Sequence, residues 1–502
     1  MRRMGIAGLF PVVSGCALAC TQVLDLPSDV EVLCASGDEC PGGFCGADHR
    51  CDERQWVVAL QSDGRVSAAG ARVTDGRVIV VGSFVGRLDV GEGLTRESAG
   101  EDVFVLALDD RGRPAWLRSF GGPGNERATV VSLDSDGSII LAGEYTEPFD
   151  MEGTPALPSV DPNHEGGFVA KLAPDGAPVW AQQVAASQDL SVDDATVFGG
   201  FVIVVGTYAG DDGVSGGEQL PAPPEGRVAG FILAVTPAGD AVRAFPVNGD
   251  HDVHPCCALV HPTVGSLVLG GHYDGTLLPP VCEPDVCVSE GGTSDIFFVS
   301  VPATALDPGS QITGGTAAMK TALADRLDAL AVDASGLFLV AASVEDVVPG
   351  AAENVPGMGL IRGALQDIVA FDEPPPAVIR VPGGVAGETF AIVEVTAAVD
   401  GDLHALGYTE HPMEIVGPDV VVSSADRDAF LLTFDNNFTL AEPLLFGGPG
   451  AATPASIAID SAGHVIVAGT FDGMLQLSAP FGRTTSTSRG QSAAFVCAIT
   501  LE

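Results

Sequence analysis

The amino-acid sequence predicts an all-β protein, a seven-bladed β-propeller of four-stranded blades. Short apolar runs are bounded by Gly, Pro and Asp and show no helical periodicity. The 64 glycines and 35 prolines among 502 residues suit a chain with many turns. Similar phrases recur about every 65 residues, and four short strands in a repeat of that length are typical of a propeller blade.

The chain begins with a segment, residues 1–15, that is predicted to be a lipoprotein signal peptide. Arg2 and Arg3 give it a positive start, and the apolar stretch over 5–13 is too short to span a bilayer, which needs about 20 apolar residues. No later run reaches that length, so no transmembrane helix is expected.

The end of this segment resembles a bacterial lipobox, Val13-Ser14-Gly15-Cys16, in which the cysteine accepts the lipid. Cys20 is the alternative acylation site, and an ordinary secretory signal cut near Ala19 is the competing interpretation. The expected location is the cell envelope, with the protein held at the outer membrane by a lipid anchor, on its periplasmic or its surface face.

A tether at 16–33 is followed by a cysteine-rich segment at 34–53 with almost no apolar content. Such a stretch cannot bury a core, so two disulfides are expected to order it, with the pairing left open. A zinc site is the competing interpretation, but the cysteines lack the short C-x2-C spacing. The four cysteines are Cys34, Cys40, Cys45 and Cys51.

The predicted propeller occupies residues 55–502, and two interleaved phrases define its strands. The first is an aromatic-Val strand followed by a turn and a strand that often carries Trp, as in DVFVLALDDRGRPAW at 102–116. Its aromatic position is occupied by Phe104, Phe168, Phe231, Phe297, Phe430 and Phe495, and MGLIRGAL at 358–365 is a degenerate copy. These aromatic residues are predicted to be core, and Trp116 and Trp180 to pack between blades.

The second phrase is an Asp-x-x-Gly turn followed by a strand that usually ends in Gly-x-aromatic. It occurs at 134–145 and 460–471, and blade 5 departs from it with Ala342-Ser343-Val344. Asp at the start and Gly at the end of a tight turn predict a hairpin. Seven such strands are present, beginning near Arg77, Ser138, Phe201, Ser266, Leu337, Leu403 and His464.

The two ends of the propeller region are predicted to share one blade. Trp56-Val57-Val58 corresponds to the Trp strand and lacks a preceding aromatic-Val strand, whereas the last aromatic-Val phrase, at 493–500, has no blade of its own. Joining them closes a ring of seven blades and removes two free edges.

The repeat pattern, FGGPGN…VSLDSDGSIILAGEYT…GGFVAKLAPDGAPVW, resembles the seven-bladed SBBP-type propeller repeats of lipoproteins from Gram-negative bacteria. The resemblance covers about residues 55–502 and implies an exported propeller. It carries over no catalytic residues, because the matching positions are structural.

Composition excludes some partners. The formal net charge is −43, so the chain lacks the positive charge that binding to nucleic acid requires. An anionic membrane surface would repel it, so contact with a membrane is expected only through a lipid anchor. Acidic pairs such as Glu101-Asp102 are expected to be solvated loop charge. A monomer is expected.

The densest cluster of chemical groups is the stretch His251-Asp252-Val253-His254-Pro255-Cys256-Cys257, with His261 nearby. His251, His254, Cys256 and Cys257 are candidate zinc or copper ligands. Disulfides are the favoured interpretation, because Cys282 and Cys287 follow the same blade. They could bridge each other locally or pair with Cys256 and Cys257, which would leave Cys497 unpaired and buried in the closing strand.

No catalytic residue or cofactor is predicted. Calcium at the acidic turn Asp134-Ser135-Asp136-Gly137 is an open alternative to turn chemistry. No hydrolase or nucleotide-binding motif is present, so an enzyme is less expected than a module that binds a protein or glycan of the envelope. Its expected contact surface is the connectors 147–165, 209–228 and 274–294. A polysaccharide hydrolase or lyase using acidic loop residues, and a purely structural envelope component, are the alternatives.

Overall fold

The computed structural model describes residues 55–158, 164–184, 188–210, 220–278, 294–306, 315–319, 325–344, 357–364, 377–380, 389–416, 420–422, 427–477 and 485–501. Within these ranges the protein is all-β, apart from one turn of 3-10 helix at Ala303–Leu306. The predicted signal peptide, tether and cysteine-rich segment, including Cys16, Cys20, Cys34, Cys40, Cys45 and Cys51, lie outside them.

The described residues contain 32 strands. Strands β1 to β5 are Trp56–Ser62, Arg65–Thr74, Arg77–Asp89, Thr95–Asp109 and Pro114–Phe120. Strands β6 to β9 are Glu126–Leu133, Ile139–Tyr145, Gly166–Leu172 and Pro178–Val184. Strands β10 to β13 are Leu190–Phe198, Phe201–Tyr208, Ala229–Val235 and Ala241–Val247. Strands β14 to β17 are Val253–Val260, Ser266–Tyr273, Asp295–Pro302 and Gly315–Met319.

The second half of the chain has the same pattern with additions. Strands β18 to β21 are Asp325–Val332, Phe338–Val344, Gly357–Gly363 and Ala377–Arg380. Strands β22 to β25 are Phe390–Ala397, Leu403–Thr409, Met413–Val416 and Val420–Val422. Strands β26 to β28 are Asp428–Phe434, Leu444–Gly447 and Ala452–Ile459. Strands β29 to β32 are Val465–Phe471, Met474–Leu477, Thr485–Thr487 and Ala493–Ile499.

These strands form small antiparallel sheets in a propeller-like arrangement. Three sheets have four strands, β6 to β9, β10 to β13 and β14 to β17. Two have six strands because a hairpin is added at the outer edge: β24–β25 extends β18 to β21, and β30–β31 extends β22, β23, β26 and β27. The first strands of successive sheets contact one another in a closed circuit, β2, β6, β10, β14, β18, β22, β28 and back to β2.

The remaining sheet has eight strands and joins the two ends of the described chain. β32 lies between β29 and β1, with Val57 opposite Cys497 in the β1–β32 pair. The predicted sharing of one sheet by the N- and C-terminal strands is therefore present, and Cys497 is unpaired and buried as predicted.

Five of the six sheets are single units, whereas seven separate blades were predicted. The difference arises because Gln61 and Ser62 at the end of β1 pair with Asp89 and Leu88 at the end of β3. This short ladder merges β28, β29, β32 and β1 with β2 to β5 into one continuous sheet.

The Asp-x-x-Gly turns form hairpins as predicted. Gly137 donates its backbone N–H to the Asp134 carbonyl oxygen at 2.9 Å, and Gly463 donates to Asp460 at 3.1 Å. Both glycines have positive φ, +80° and +89°, which L side chains rarely adopt. In the first turn Lys171 also pairs with Asp134 at 2.7 Å.

The Gly-x-aromatic ending is explained by the repeated phenylalanine. The glycine lies directly opposite that phenylalanine on the neighbouring strand, as Gly82 does opposite Phe104 and Gly206 opposite Phe231. A Cβ on such a glycine would lie 2.5–3.0 Å from the ring, so only glycine leaves room for it. All six marker phenylalanines are fully buried, which confirms that they are core: Phe104, Phe168, Phe231, Phe297, Phe430 and Phe495.

The sheet formed by β18 to β21 lacks this glycine–phenylalanine pair. Ala342, where the other blades have glycine, lies opposite Gly359 on β20, the strand predicted from MGLIRGAL. This sheet therefore has small residues on both strands where the other sheets pair a glycine with a phenylalanine.

Tryptophans link successive sheets, as predicted for Trp116 and Trp180. Trp116 packs on Gly176 and Trp180 on Gly239, each at the outer hairpin of the next sheet, and a Cβ on either glycine would lie 2.7 Å from the indole. Trp180 Nε1 also donates to the Pro237 carbonyl oxygen at 3.0 Å. Each contact therefore joins the outer edge of one sheet to its neighbour.

The register of the closing strand can be tested with one added cysteine. Under oxidising conditions we expect Val57→Cys to form a disulfide with Cys497, because directly opposed residues in an antiparallel pair have Cα atoms about 4.5–5.5 Å apart. The bridge should raise the free energy of unfolding by about 2–4 kcal/mol. Peptide mapping by mass spectrometry and thermal unfolding would measure both effects.

Val58→Cys is the matched control, because its side chain lies on the opposite face of β1 from Cys497. A bridge to Cys497 from position 58, or none from position 57, would contradict the register.

Candidate functional site

A central cavity of about 570 Å³ is surrounded by the first strands of the sheets. Its wall is formed by seven strands: β2, β6, β10, β14, β18, β22 and β28. Cavities of this size are in the range that accepts small-molecule ligands.

Each of the seven wall strands carries a β-bulge at the same place. One residue in each is skipped by the ladder to the next strand, as Asp193 is between Val192 and Asp194. The skipped residues are Ala69, Thr129, Asp193, Cys256, Asp328, Val393 and Ala455. Each skipped residue and the one after it line the cavity. A bulge redirects side chains locally, so these positions determine the chemistry of the wall.

The cavity wall is predominantly acidic. Asp193, Asp194, Asp328 and Glu394 line it, and each is a skipped bulge residue or the residue that follows one. Arg72 on β2 is the one basic side chain among the residues that line it.

Arg72 and Glu394 form a network that ties three wall strands together. Arg72 Nη2 lies 3.2 Å from Glu394 Oε1. Glu394 Oε2 accepts hydrogen bonds from the Ser456 hydroxyl and the Ile457 backbone N–H, both at 2.8 Å. β2, β22 and β28 are therefore joined at the cavity by charge-assisted contacts.

Among the described residues, none of the other three carboxyl groups links three wall strands in this way. Asp194 accepts backbone N–H groups from Ala195 and Ala258, both at 2.7 Å. Asp193 faces the open cavity, and the Ser191 hydroxyl donates to it at 3.1 Å. The protein that surrounds the cavity desolvates both groups and raises the pKa of each to about 6.

Asp328, on β18, is nearly inaccessible to solvent. The Ser343 hydroxyl donates to it, and Arg326 Nε lies 3.3 Å from its Oδ1. Burial raises the pKa of Asp328 to about 6 despite these partners. Near neutral pH the wall thus offers carboxyl groups that accept hydrogen bonds as carboxylates and donate them when protonated.

The candidate zinc or copper ligands His251, His254, Cys256 and Cys257 have separate contacts. His251 contacts Asp250 at 3.0 Å, while the rings of His254 and His272 stack with centroids 5.0 Å apart. His261 Nε2 lies 3.0 Å from the Gly336 carbonyl oxygen. In the part of the chain that is described, no three His, Cys, Asp or Glu side chains are grouped to hold a metal ion.

Cys256 and Cys257 form a disulfide with each other. This corrects the alternative in which they pair with Cys282 and Cys287, which lie outside the described residues. The bulge places both neighbouring cysteines on the same cavity wall, where they can reach each other.

The connectors were expected to provide the contact surface. Much of 209–228 and 274–294 lies outside the described residues, and the first part of 147–165 belongs to the core instead. Phe149 and Met151 are buried there, and Phe149 packs edge-on against Tyr145 and Phe168 with centroids 5.4 Å from each.

The cavity residues Arg72, Asp193, Asp194, Asp328 and Glu394 were missed in the sequence. A usable signal exists, because each skipped residue precedes the first residue of the following hairpin turn by five positions. Asp328 stands five before Asp333, as Thr129 does before Asp134. An alignment on the turns would therefore have placed these positions at one level of the ring.

A second acidic cluster lies between strands β2 to β5 and the sheet formed by β6 to β9. Glu101 and Asp102 are buried rather than solvated, which corrects the expectation of loop charge. Glu101 is compensated by Arg65 and Arg127, at 2.6 and 2.9 Å.

Asp102 shares its surroundings with the fully buried Glu126. Gly121 lies between them, since a Cβ there would be 2.5 Å from Asp102 Oδ1 and 2.8 Å from Glu126 Oε2. One oxygen of each carboxyl group has no hydrogen-bond partner among the described residues. Burial, reinforced by the nearby negative charge of Asp102, raises the pKa of Glu126 to about 7.

The comparisons with known proteins leave the family open. No protein-family model matches the chain, and no curated protein matches it.

No helix among the described residues is long and apolar enough to cross a membrane.

Several solved structures are similar at low identity. A polysaccharide lyase, the PL25 ulvan lyase, is 12% identical over 86% of this chain and 98% of its own, with a TM-score of 0.43. The hemagglutinin-neuraminidase of Parainfluenza Virus 5 is 9% identical over 90% and 96%, with a TM-score of 0.37. Sqt1 from Chaetomium thermophilum is 10% identical over 89% and 98%, also with a TM-score of 0.37. Likenesses this weak assign no function.

The Glu126 carboxyl group predicts a specific pH dependence of stability. A pKa of about 7 in the folded state, against an ordinary 4.5, means that the folded protein binds more protons between those values. Its contribution to stability is therefore present below about pH 4.5 and is lost as the pH rises towards 7. Glu126→Gln should match the wild type at pH 4.5 and exceed its free energy of unfolding by about 1–3 kcal/mol at pH 8.

Urea unfolding across this pH range would measure the difference between variant and wild type. The exposed Glu152→Gln is the control and should leave the profile unchanged. A Glu126→Gln variant that parallels the wild type at every pH would contradict the assignment.

Proposed function

We propose that this protein is an exported, lipid-anchored β-propeller that binds an envelope or extracellular glycan in its central cavity. The observation that carries the proposal is the concentration of hydrogen-bonding side chains at the bulges around one cavity. Sugar hydroxyls donate well to carboxylates, and a ligand of a few sugar rings suits about 570 Å³. A protein partner on the loop faces is the alternative that the same architecture allows.

The proposal includes seven functional blades. The eight-stranded sheet is treated as two of them, β2 to β5 and the unit formed by β28, β29, β32 and β1, because each unit contributes one strand to the cavity wall. This count agrees with the resemblance to SBBP-type repeats.

The proposed address is the outer membrane, reached through the signal at 1–15 and an acyl chain on Cys16. The protein acts there as a monomer and without a cofactor. These statements rest on the sequence, since residues 1–54 lie outside the described part of the structure.

An envelope-anchored polysaccharide hydrolase or lyase is the second candidate. It is favoured by the cavity carboxyl groups of Asp193 and Asp194, whose pKa values are raised to about 6, because such groups can serve as a general acid or base near neutral pH. Turnover of a bound glycan, abolished by Asp193→Asn, would support this candidate over simple binding.

Glycan binding is tested most directly at Asp193, the cavity carboxyl group that is most open to solvent. A glycan array would identify a ligand, and calorimetry would compare the wild type with Asp193→Asn. Loss of a charged acceptor should weaken binding about tenfold to hundredfold. Asp240→Asn, at an exposed outer turn, is the matched control and should bind normally. An array without ligands, or equal affinities for both variants, would overturn the proposal.

The anchor is tested by metabolic labelling with palmitate. Cys16→Ser should lose the label and release the protein from membranes, whereas Cys20→Ser should retain both. The reverse pattern would move the acylation site to Cys20, and labelling of neither protein would reject the anchor.

A further inference from the structure

The Cys256–Cys257 disulfide lies on the wall of the central cavity and joins neighbouring residues. A disulfide stabilises a fold mainly by closing a loop in the unfolded chain, and the stabilisation grows with loop length. A bond between adjacent residues encloses no loop and ties no two strands together. Stabilisation of the fold therefore does not explain it.

The bulge does not require sulfur either. The six corresponding bulges carry no cysteine, and their paired positions include Ala69-Gly70 and Ala455-Ser456. The same local backbone thus forms with small or polar residues. The two cysteines are a departure from the repeat at a position that faces the cavity.

The disulfide lines the cavity beside its acidic side chains. Cys256 and Cys257 are each only partly buried. The backbone N–H of Ala258, the next residue, donates to Asp194 at 2.7 Å. Cys497, by contrast, is fully buried, and burial raises the pKa of its thiol to about 12.

We propose that Cys256 and Cys257 form a reducible site for thiophilic metal or metalloid ions. This inference is independent of glycan binding. A dithiol reductant transfers two electrons and two protons to the disulfide, becomes a disulfide itself, and leaves two thiols on one bulge. Two adjacent thiols bind a soft ion together, and each releases its proton as the sulfur–ion bond forms. Asp194, which accepts the Ala258 N–H next to the cysteines, favours a cationic ligand electrostatically.

The probe is a monosubstituted trivalent arsenical, which condenses with two thiols and releases water. The folded full-length protein is reduced with dithiothreitol, freed of reductant without oxygen, exposed to the arsenical and mapped by mass spectrometry. We expect the peptide that contains residues 256 and 257 to gain two hydrogens on reduction and then one arsenical per pair. Peptide resolution separates this site from cysteines elsewhere in the chain, and Cys497 should stay unmodified.

Two variants make the result decisive. Cys257→Ala leaves one thiol. The concentration of a competing monothiol that displaces the arsenical should therefore be at least a hundredfold lower for this variant than for the wild type. The double variant Cys256→Ala with Cys257→Ser reproduces the residues of the β28 bulge and should fold normally without taking the arsenical at this position. Circular dichroism and the unfolding midpoint would verify that both variants fold.

Three results would overturn the proposal. They are reduction of the disulfide only after the protein is unfolded, no uptake of the arsenical by the reduced pair, and an arsenical held by Cys257→Ala as firmly as by the wild type. Glycan binding is measured separately on the oxidised protein, so failure of this site and failure of the glycan proposal are distinguishable.

Discussion

The structure depends on the position of β32 between β29 and β1. A row of small sheets has two open ends, and each end exposes unpaired backbone groups and one uncovered apolar face. β32 brings the ends together by hydrogen bonds on both of its edges, and its seven residues are all buried. Because the ring is closed there, the first strands meet around a common centre, and a cavity exists for them to line.

Closure sets the position of the cavity, and the bulges set its chemistry. A residue skipped by the ladder has no partner across the strand, so its side chain can change without disturbing the pairing of its neighbours. The core positions have no such freedom, because a phenylalanine ring fills the space above each opposing glycine. The skipped residues accordingly differ from sheet to sheet, with Asp, Cys, Thr, Val and Ala in equivalent places.

Much of the fold could be predicted because its physical causes are local. Asp134 and Gly137 specify a hairpin by turn chemistry, and the spacing of Phe104, Phe168 and Phe231 gives the repeat length. The merging of β1 with β3 depends on four residues at strand ends, none of which breaks the pattern in sequence. The candidate site was missed for a related reason: Asp193 and Glu394 are far apart in the chain, and only the closed ring turns their bulges towards one cavity.

The acidic pairs show how far charge can be interpreted without a structure. From the sequence, Glu101 and Asp102 were expected to be solvated, because a buried charge is rare without a compensating partner. Compensation is present for Glu101, but it comes from Arg65 and Arg127, which lie on two other strands. Among the described residues Asp102 and Glu126 have no such partner, and burial raises the pKa of Glu126. Whether a carboxyl group is solvated, paired or protonated is thus decided by contacts between repeats, which composition and spacing within one repeat do not specify.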